Sequence, residues 1–278
     1  MSRIMSHAGP TVVSRAARWL GGALLVPSLA AAQADTRPVV VVFTFTNSSI
    51  GPAKAEFDGI ATGIQDLLIT DLASSSKIRL VDRSRIGEIL QEQNMVRGGQ
   101  IDPQTAVKVG KILGAQYAIT GGFMADKSGT AVLTGRTIDI ETTQIANPQK
   151  ITGKADDVLA LIGQLSSKLG SDMSLAPRGS RPGGAGKSGP AQSGGPTSSS
   201  NTAQAETYAK VLPAAVVEKT MKTKLDAATM KLYSKALDEI DAKNKDKAID
   251  LLKQVKSNSP DFEPAQRNLD KLMGKTGA

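Results

Sequence analysis

"VVVVFTFT", residues 39–46, decides the fold. The run is apolar and β-branched almost without interruption, the pattern of a strand buried on both faces, whereas a half-buried strand would alternate. Downstream, Phe57, Ile60, Ile64, Leu67, Leu68 and Leu72 recur at spacings of three and four, which predicts an amphipathic helix ending in the turn Ser74-Ser75-Ser76. "IRLVD" (78–82) reads as the second strand.

That strand runs straight into "VDRSRIGEILQEQ", residues 81–93. Acids, bases and a hydroxyl crowd together here, as a catalytic cluster, a ligand clamp or a strand-to-helix corner would have them, and the corner is the preferred reading. In it, Ser84 caps a helix whose apolar face carries Ile86, Ile89 and Leu90, with Asp82 near its positive end. In the alternative, Arg83 or Arg85 contacts a partner. The following helix has clear limits: Asp102 as cap, Pro103 in the first turn, Lys111 in the last, and Gly114 as the stop. "AQYAITGGF" (115–123) and "AVLTGRTIDIE" (131–141) are joined by the turn residues Asp126, Ser128 and Gly129 and should form a hairpin. Residues 144–155 read as a third strand, with Pro148 placing it at an edge or bulge. Val158, Leu161, Ile162, Leu165 and Leu169 make the apolar face of a last helix. The expected order is β-α-β-α-α-β-β-β-α, an α/β domain in which helices cover a mixed sheet.

Around this domain the composition changes abruptly. Residues 1–34 carry Arg3, Arg15 and Arg18 with no acid, then an apolar stretch, then Ala32-Gln33-Ala34, the organisation of a secretory signal peptide cleaved near Ala34. The apolar core is too short and too interrupted to be read as a membrane span. Cysteine is absent, so no lipidated cysteine anchor and no disulfide is expected. Residues 35–173 form the α/β domain. Residues 174–204 are a Gly/Ser/Pro linker, expected to be disordered. Residues 205–278 form a small all-α module. In it, Tyr233, Ala236, Leu237 and Ile240, then Ala248, Leu252, Val255 and Pro260, are spaced like the two helices of a tetratricopeptide repeat. A single repeat cannot bury its own faces, so it needs caps or a second copy. With the linker flexible, the two modules are expected to reorient freely and unfold independently.

The chemistry available to such a chain is narrow. The only His, His7, and the only Trp, Trp19, lie in the signal peptide. Without His or Cys, the processed chain lacks the usual zinc ligands, thiol nucleophile and neutral-pH base, which argues against an enzyme and leaves no catalytic, metal or cofactor-binding residue to name. Asp156-Asp157 is the one adjacent acid pair, and it reads more simply as first-turn charge on a helix. Gly184, Gly186 and Gly189 satisfy a G-x-G-x-x-G spacing, but Arg181 stands where a phosphate loop needs glycine, and no strand or helix flanks the motif, so no nucleotide site is expected. The formal net charge of +8 is concentrated outside the α/β region. With Phe262, Tyr208 and Tyr233 as the C-terminal aromatics, there is no stacking platform for nucleic acid. A solvated lysine-rich helix surface is the simpler reading of the excess, and attraction to an acidic partner or an anionic membrane face is the alternative.

Several phrases in succession bear a family likeness: the long apolar first strand, "GIATGIQDLLITDLASSSKIRLVDRSRIGEILQEQ", "IDPQTAVKVGKILGAQYAITGG" and "GRTIDIETTQI". Over most of residues 39–169 the chain resembles the family of the curli secretion component CsgG. Its wider relatives include TolB N-terminal domains and outer-membrane lipoproteins that activate peptidoglycan synthases. The resemblance implies a periplasmic, non-enzymatic α/β domain that works by homo-oligomerisation or by docking a protein partner, with peripheral association with the outer membrane. Curli pore subunits add a lipidated Cys and two long amphipathic hairpins. The connections "ADKSG" and "TTQ" are too short for these. The expectation is therefore an envelope adaptor for secretion or envelope biogenesis that docks through the α/β domain and captures a protein through the helical module. The alternative is a regulator of a peptidoglycan synthase; a carboxylate-dependent hydrolase ranks below both. The partner-binding residues are left unknown.

Overall fold

The structure, a computed structural model, describes residues 35–93, 101–171, 220, 223 and 225–275. The proposed signal peptide, the 174–204 linker and the glycines at 184, 186 and 189 lie outside these residues.

Among the described residues the strands and α-helices follow in the order β1 (Val39–Val42), β2 (Thr46–Asn47), α1 (Pro52–Glu56), α2 (Ala61–Leu72), β3 (Arg79–Leu80), α3 (Arg83–Glu92), α4 (Pro103–Ile112), β4 (Tyr117–Ala125), β5 (Thr130–Asp139), β6 (Ile145–Lys154), α5 (Val158–Ser171), α6 (Ala227–Asp241), α7 (Lys245–Asn258) and α8 (Glu263–Leu272). The sheet runs β3-β1-β4-β5-β6, with β2 also beside β4. β1 is parallel to β3 and β4, and β4, β5 and β6 are antiparallel. The mixed α/β fold read from the sequence is the fold observed.

β1 is buried on both faces, as its composition requires. Val40 and Val42 point into a core shared with α2 and α5, while Val39, Val41 and Phe43 point into a second core under α3 and α4. The run 39–46 is nevertheless two strands, because the chain leaves the ladder between Val42 and Thr46. Gln65 of α2 repairs the break: its Nε2 donates to Val42 O at 2.8 Å and its Oε1 accepts from Thr44 Oγ1 at 3.1 Å. A buried polar side chain here satisfies backbone that the sheet has released. The predicted helix over 57–72 starts later, at Ala61, and is preceded by the separate short helix α1, though Phe57 and Ile60 are buried as expected.

The antiparallel half matches its turn chemistry. Asp126 Oδ1 accepts from Ser128 N, Ser128 Oγ and Thr130 N, and Gly129 takes φ +77° to close the β4–β5 hairpin. β6 is the sheet edge. Its pairing slips between Gly135 and Thr137 of β5, opposite Asn147 and Pro148, so the proline sits at a bulge where no ladder N–H is needed. Asp102 caps α4, accepting from Gln104 N and Thr105 N, with Pro103 in the first turn and Gly114 at φ +65° just past the end.

The C-terminal helices do not stand apart. Met230, Tyr233, Ala236, Leu237, Leu252 and Phe262 are buried in the same continuous apolar cluster as α2 and α5. The expectation of freely reorienting modules is therefore corrected: α6 uses α2 of the α/β domain to bury the face that a lone helical hairpin would leave open. As a result α2 is enclosed on nearly all sides, by the sheet, by α5 and by α6.

Candidate functional site

The charged corner at 82–85 resolves into three different roles. Asp82, not Ser84, is the N-cap of α3: its backbone is extended (φ −63°, ψ 141°) and its Oδ1 accepts from Ser84 N at 2.9 Å. Ser84 Oγ donates to the same oxygen at 2.6 Å. The expected cap is thus off by two residues, because the acid reaches the orphan N–H groups first and the hydroxyl supports it. Arg85 lies on the exposed side and pairs with Glu88 at 2.9 Å. Arg83 alone turns inward and is 8% exposed.

Arg83 is the centre of the seam between the α/β domain and α6. Its Nε donates to Asp66 Oδ1 of α2 at 3.3 Å, and its Nη1 donates to Asp241 Oδ2 at the end of α6. Tyr233 Oη of α6 donates to the other oxygen of Asp66 at 2.6 Å and accepts from Asn268 Nδ2 of α8 at 3.1 Å. The Tyr233 ring stands edge-on to Phe262, 5.0 Å between centroids. Arg267 Nη2 donates to Thr70 Oγ1 at 3.3 Å, and Thr62 Oγ1 donates to Asp238 Oδ1 at 2.8 Å. Charged groups from four helices meet here, satisfied mostly by one another.

Close approach of the helices depends on Gly63. α2 lacks a side-chain cap of its own, and Ser234 Oγ of α6 accepts from Gly63 N at 3.0 Å, supplying the missing partner for a first-turn N–H. A Cβ on Gly63 would lie 2.5 Å from that oxygen and 2.8 Å from Met230 Cε. Burial pushes the hydroxyl of Tyr233 well above its ordinary range, so it remains a donor at any working pH. Burial also raises the Asp241 carboxyl to about 6 and raises Asp238, in each case against the downward pull of Arg83. Arg83 itself is raised by its two carboxylate neighbours despite the opposing effect of burial.

Part of the sheet is left open. Alternation along β4, β5 and β6 sends Phe123, Ala125, Ala131, Leu133 and Ile151 into the core and leaves Met124, Thr134, Arg136, Lys150 and Thr152 exposed on the other face. The register sets Thr134 beside Lys150, and Met124 beside Val132. Met124 is 43% exposed there, and Arg136 Nε donates to Thr120 Oγ1 at 3.3 Å. Asp156 and Asp157 are exposed in a 3-10 turn leading into α5 and converge on nothing. Among the described residues no group of His, Cys, Asp and Glu is placed to hold a metal ion, and no helix is long and apolar enough to cross a membrane.

Residues 25–135 match the family of the curli production assembly/transport component CsgG. The match runs through β1, α2, the Asp82–Arg85 corner and β4 into β5, and stops short of β6, α5 and the C-terminal helices. No curated protein matches the chain. Among solved structures, this chain is similar to the LpoB C-terminal domain from Salmonella enterica, with 17% identity, 44% of this chain and 87% of that one covered, and a TM-score of 0.37. It is also similar to lipoprotein GNA1162 from Neisseria meningitidis (12% identity, 49% and 98% covered, TM-score 0.36). A third likeness is to the PelC dodecamer from Paraburkholderia phytofirmans (14%, 48% and 89%, TM-score 0.27).

Arg83 and Arg85 carry the same charge two residues apart, and the structure separates them completely, one turned inward and one to the exposed side. Asp66, Tyr233 and Asp241 are not recognisable as a set from their places in the sequence. A signal existed in α6, where Met230, Ser234, Leu237 and Asp241 follow one another at spacings of four, three and four, so that a serine and an aspartate interrupt a helix face otherwise apolar.

Proposed function

We propose that this chain is an exported, non-enzymatic adaptor in assembly of the cell envelope, docking a protein partner in the periplasm through its CsgG-like α/β domain. The family match over residues 25–135 carries this reading, since that family is described by assembly and transport. Cleavage near Ala34 releases the chain without a lipid anchor, and contact with the outer membrane is peripheral, through the partner or through homo-oligomers. The uncovered face of β4, β5 and β6 is the part of the domain where docking is tested first, because α3 and α4 cover the rest of that sheet side. Any capture by the helical segment uses the outer faces of α7 and α8, since α6 is committed to α2. No cofactor or nucleotide enters this reading.

Crosslinking in intact cells followed by recovery of the full chain from envelope extracts tests it. The expected result is a discrete partner from envelope-assembly or secretion machinery that is lost when Met124→Glu and Arg136→Glu are introduced together. Recovery of a peptidoglycan synthase in its place supports the regulator alternative. Retention of the chain in the cytoplasm contradicts both.

A further inference from the structure

The seam holds more negative charge than its guanidinium balances. Asp241 faces Asp66 from α2, Arg83 from α3 and Asp238 from its own helix, while Tyr233 of that helix donates to Asp66. Glu239 adds to the charge around Asp238, and Arg267 of α8 acts on Tyr233. Gly87 of α3 presents only backbone to Asp241, whose Cγ would lie 3.9 Å from a Cβ there. Asp241 Oδ2 accepts from Arg83, yet Oδ1 is buried without a hydrogen-bond partner among the described residues. An ionised carboxylate with one oxygen desolvated and unpaired is costly, and a proton on that oxygen removes the excess charge.

We propose that the seam is a proton-linked latch: α6, α7 and α8 close onto α2 and α3 with Asp241 protonated, and loosen when that proton is lost, uncovering the Gly63, Asp66 and Thr70 stripe of α2. Closing takes up one proton and opening releases it to solvent, with Arg83 remaining charged throughout. The raised carboxyl of Asp241, at about 6 in the closed form against 3.8 when solvated, fixes the direction. A group whose pKa is higher closed than open favours closure most below the open value and loses that contribution as pH rises through the closed value. The window is therefore between about 4 and about 6, with the open form gaining at neutral pH.

Hydrogen exchange on the full chain, corrected for intrinsic exchange rates, tests the latch by comparing α6 with β4 and β5. Between about pH 5 and about pH 7.5, the opening constant of α6 should rise about tenfold while β4 and β5 stay unchanged. Asp241→Asn, which mimics the protonated side chain in charge, should hold α6 at its low-pH protection throughout. The same pH response in Asp241→Asn, or an equal rise in β4 and β5, would overturn the proposal. If that variant does not fold, the wild-type profile decides alone: α6 opening that is flat across the range contradicts the latch.

Discussion

Two helix layers flank α2 and the sheet, and different chemistry holds each. α3 and α4 lie on their sheet face through Ile86, Ile89, Leu90, Ala106 and Val109, packed against Val39, Val41 and Phe43. α6 meets α2 through Ser234, Asp238, Asp241 and Tyr233, set around Arg83, with apolar packing beside them. Apolar contact tolerates substitutions that conserve volume and is indifferent to protonation. A buried ionic seam demands its full set of partners, because removing one leaves the others desolvated and unpaired. The first interface supports the fold, and the second sets where the C-terminal helices sit and under what conditions.

The largest effect that sharpens this comparison comes from Ala248→Glu. Ala248 is fully buried on the inner face of α7, so a carboxylate there should cost more than about 4 kcal/mol and melt α6–α8 as seen by loss of helical circular dichroism. If the contrast holds, β4 and β5 keep their exchange protection; their collapse in parallel would show that the α/β domain depends on the seam for its own folding. Arg83→Ala should cost about 3–5 kcal/mol by denaturant unfolding, since Asp66 and Asp241 lose their shared counterion. Arg85→Ala, two residues away, should stay within about 0.5 kcal/mol because its partner Glu88 is solvated. Equal costs for the two arginines would break the comparison.

Smaller effects probe the fine structure. Gly63→Ala should lower stability by about 1–3 kcal/mol despite alanine's better helix propensity, because the added methyl meets Ser234 Oγ and Met230 Cε inside contact distance. Asp82→Ala should cost about 1 kcal/mol through loss of the cap, and Ser84→Ala less, which reverses the ranking expected when Ser84 is taken as the cap.

How far these features could be read in advance depended on distance along the chain. Local rules placed the two-faced burial of β1, the limits of α4 at Asp102, Pro103 and Gly114, the β4–β5 hairpin, and Pro148 at a bulge of the edge strand. Each needs only neighbouring residues to be recognised. The cap of α3 was missed because Asp82 and Ser84 both carry acceptor oxygens at a helix start, and choosing between them needs the backbone dihedrals. The seam was missed for a different reason. Gly63 and Ser234 are 171 residues apart, and Tyr233 and Asp66 are 167 apart. The apolar spacing of α6 is equally consistent with packing on a repeat neighbour or on α2. What distinguished them was the polar complement on α2, where Gly63, Asp66 and Thr70 form a stripe at spacings of three and four.

The claim that Arg83 fastens the C-terminal helices to the α/β domain is tested most directly by a double-mutant cycle. Arg83→Met, Asp241→Asn and the pair together are measured by denaturant unfolding of the full chain at neutral pH. The account predicts a coupling energy of about 1–3 kcal/mol between the two sites. Additive effects, within about 0.5 kcal/mol, would contradict it.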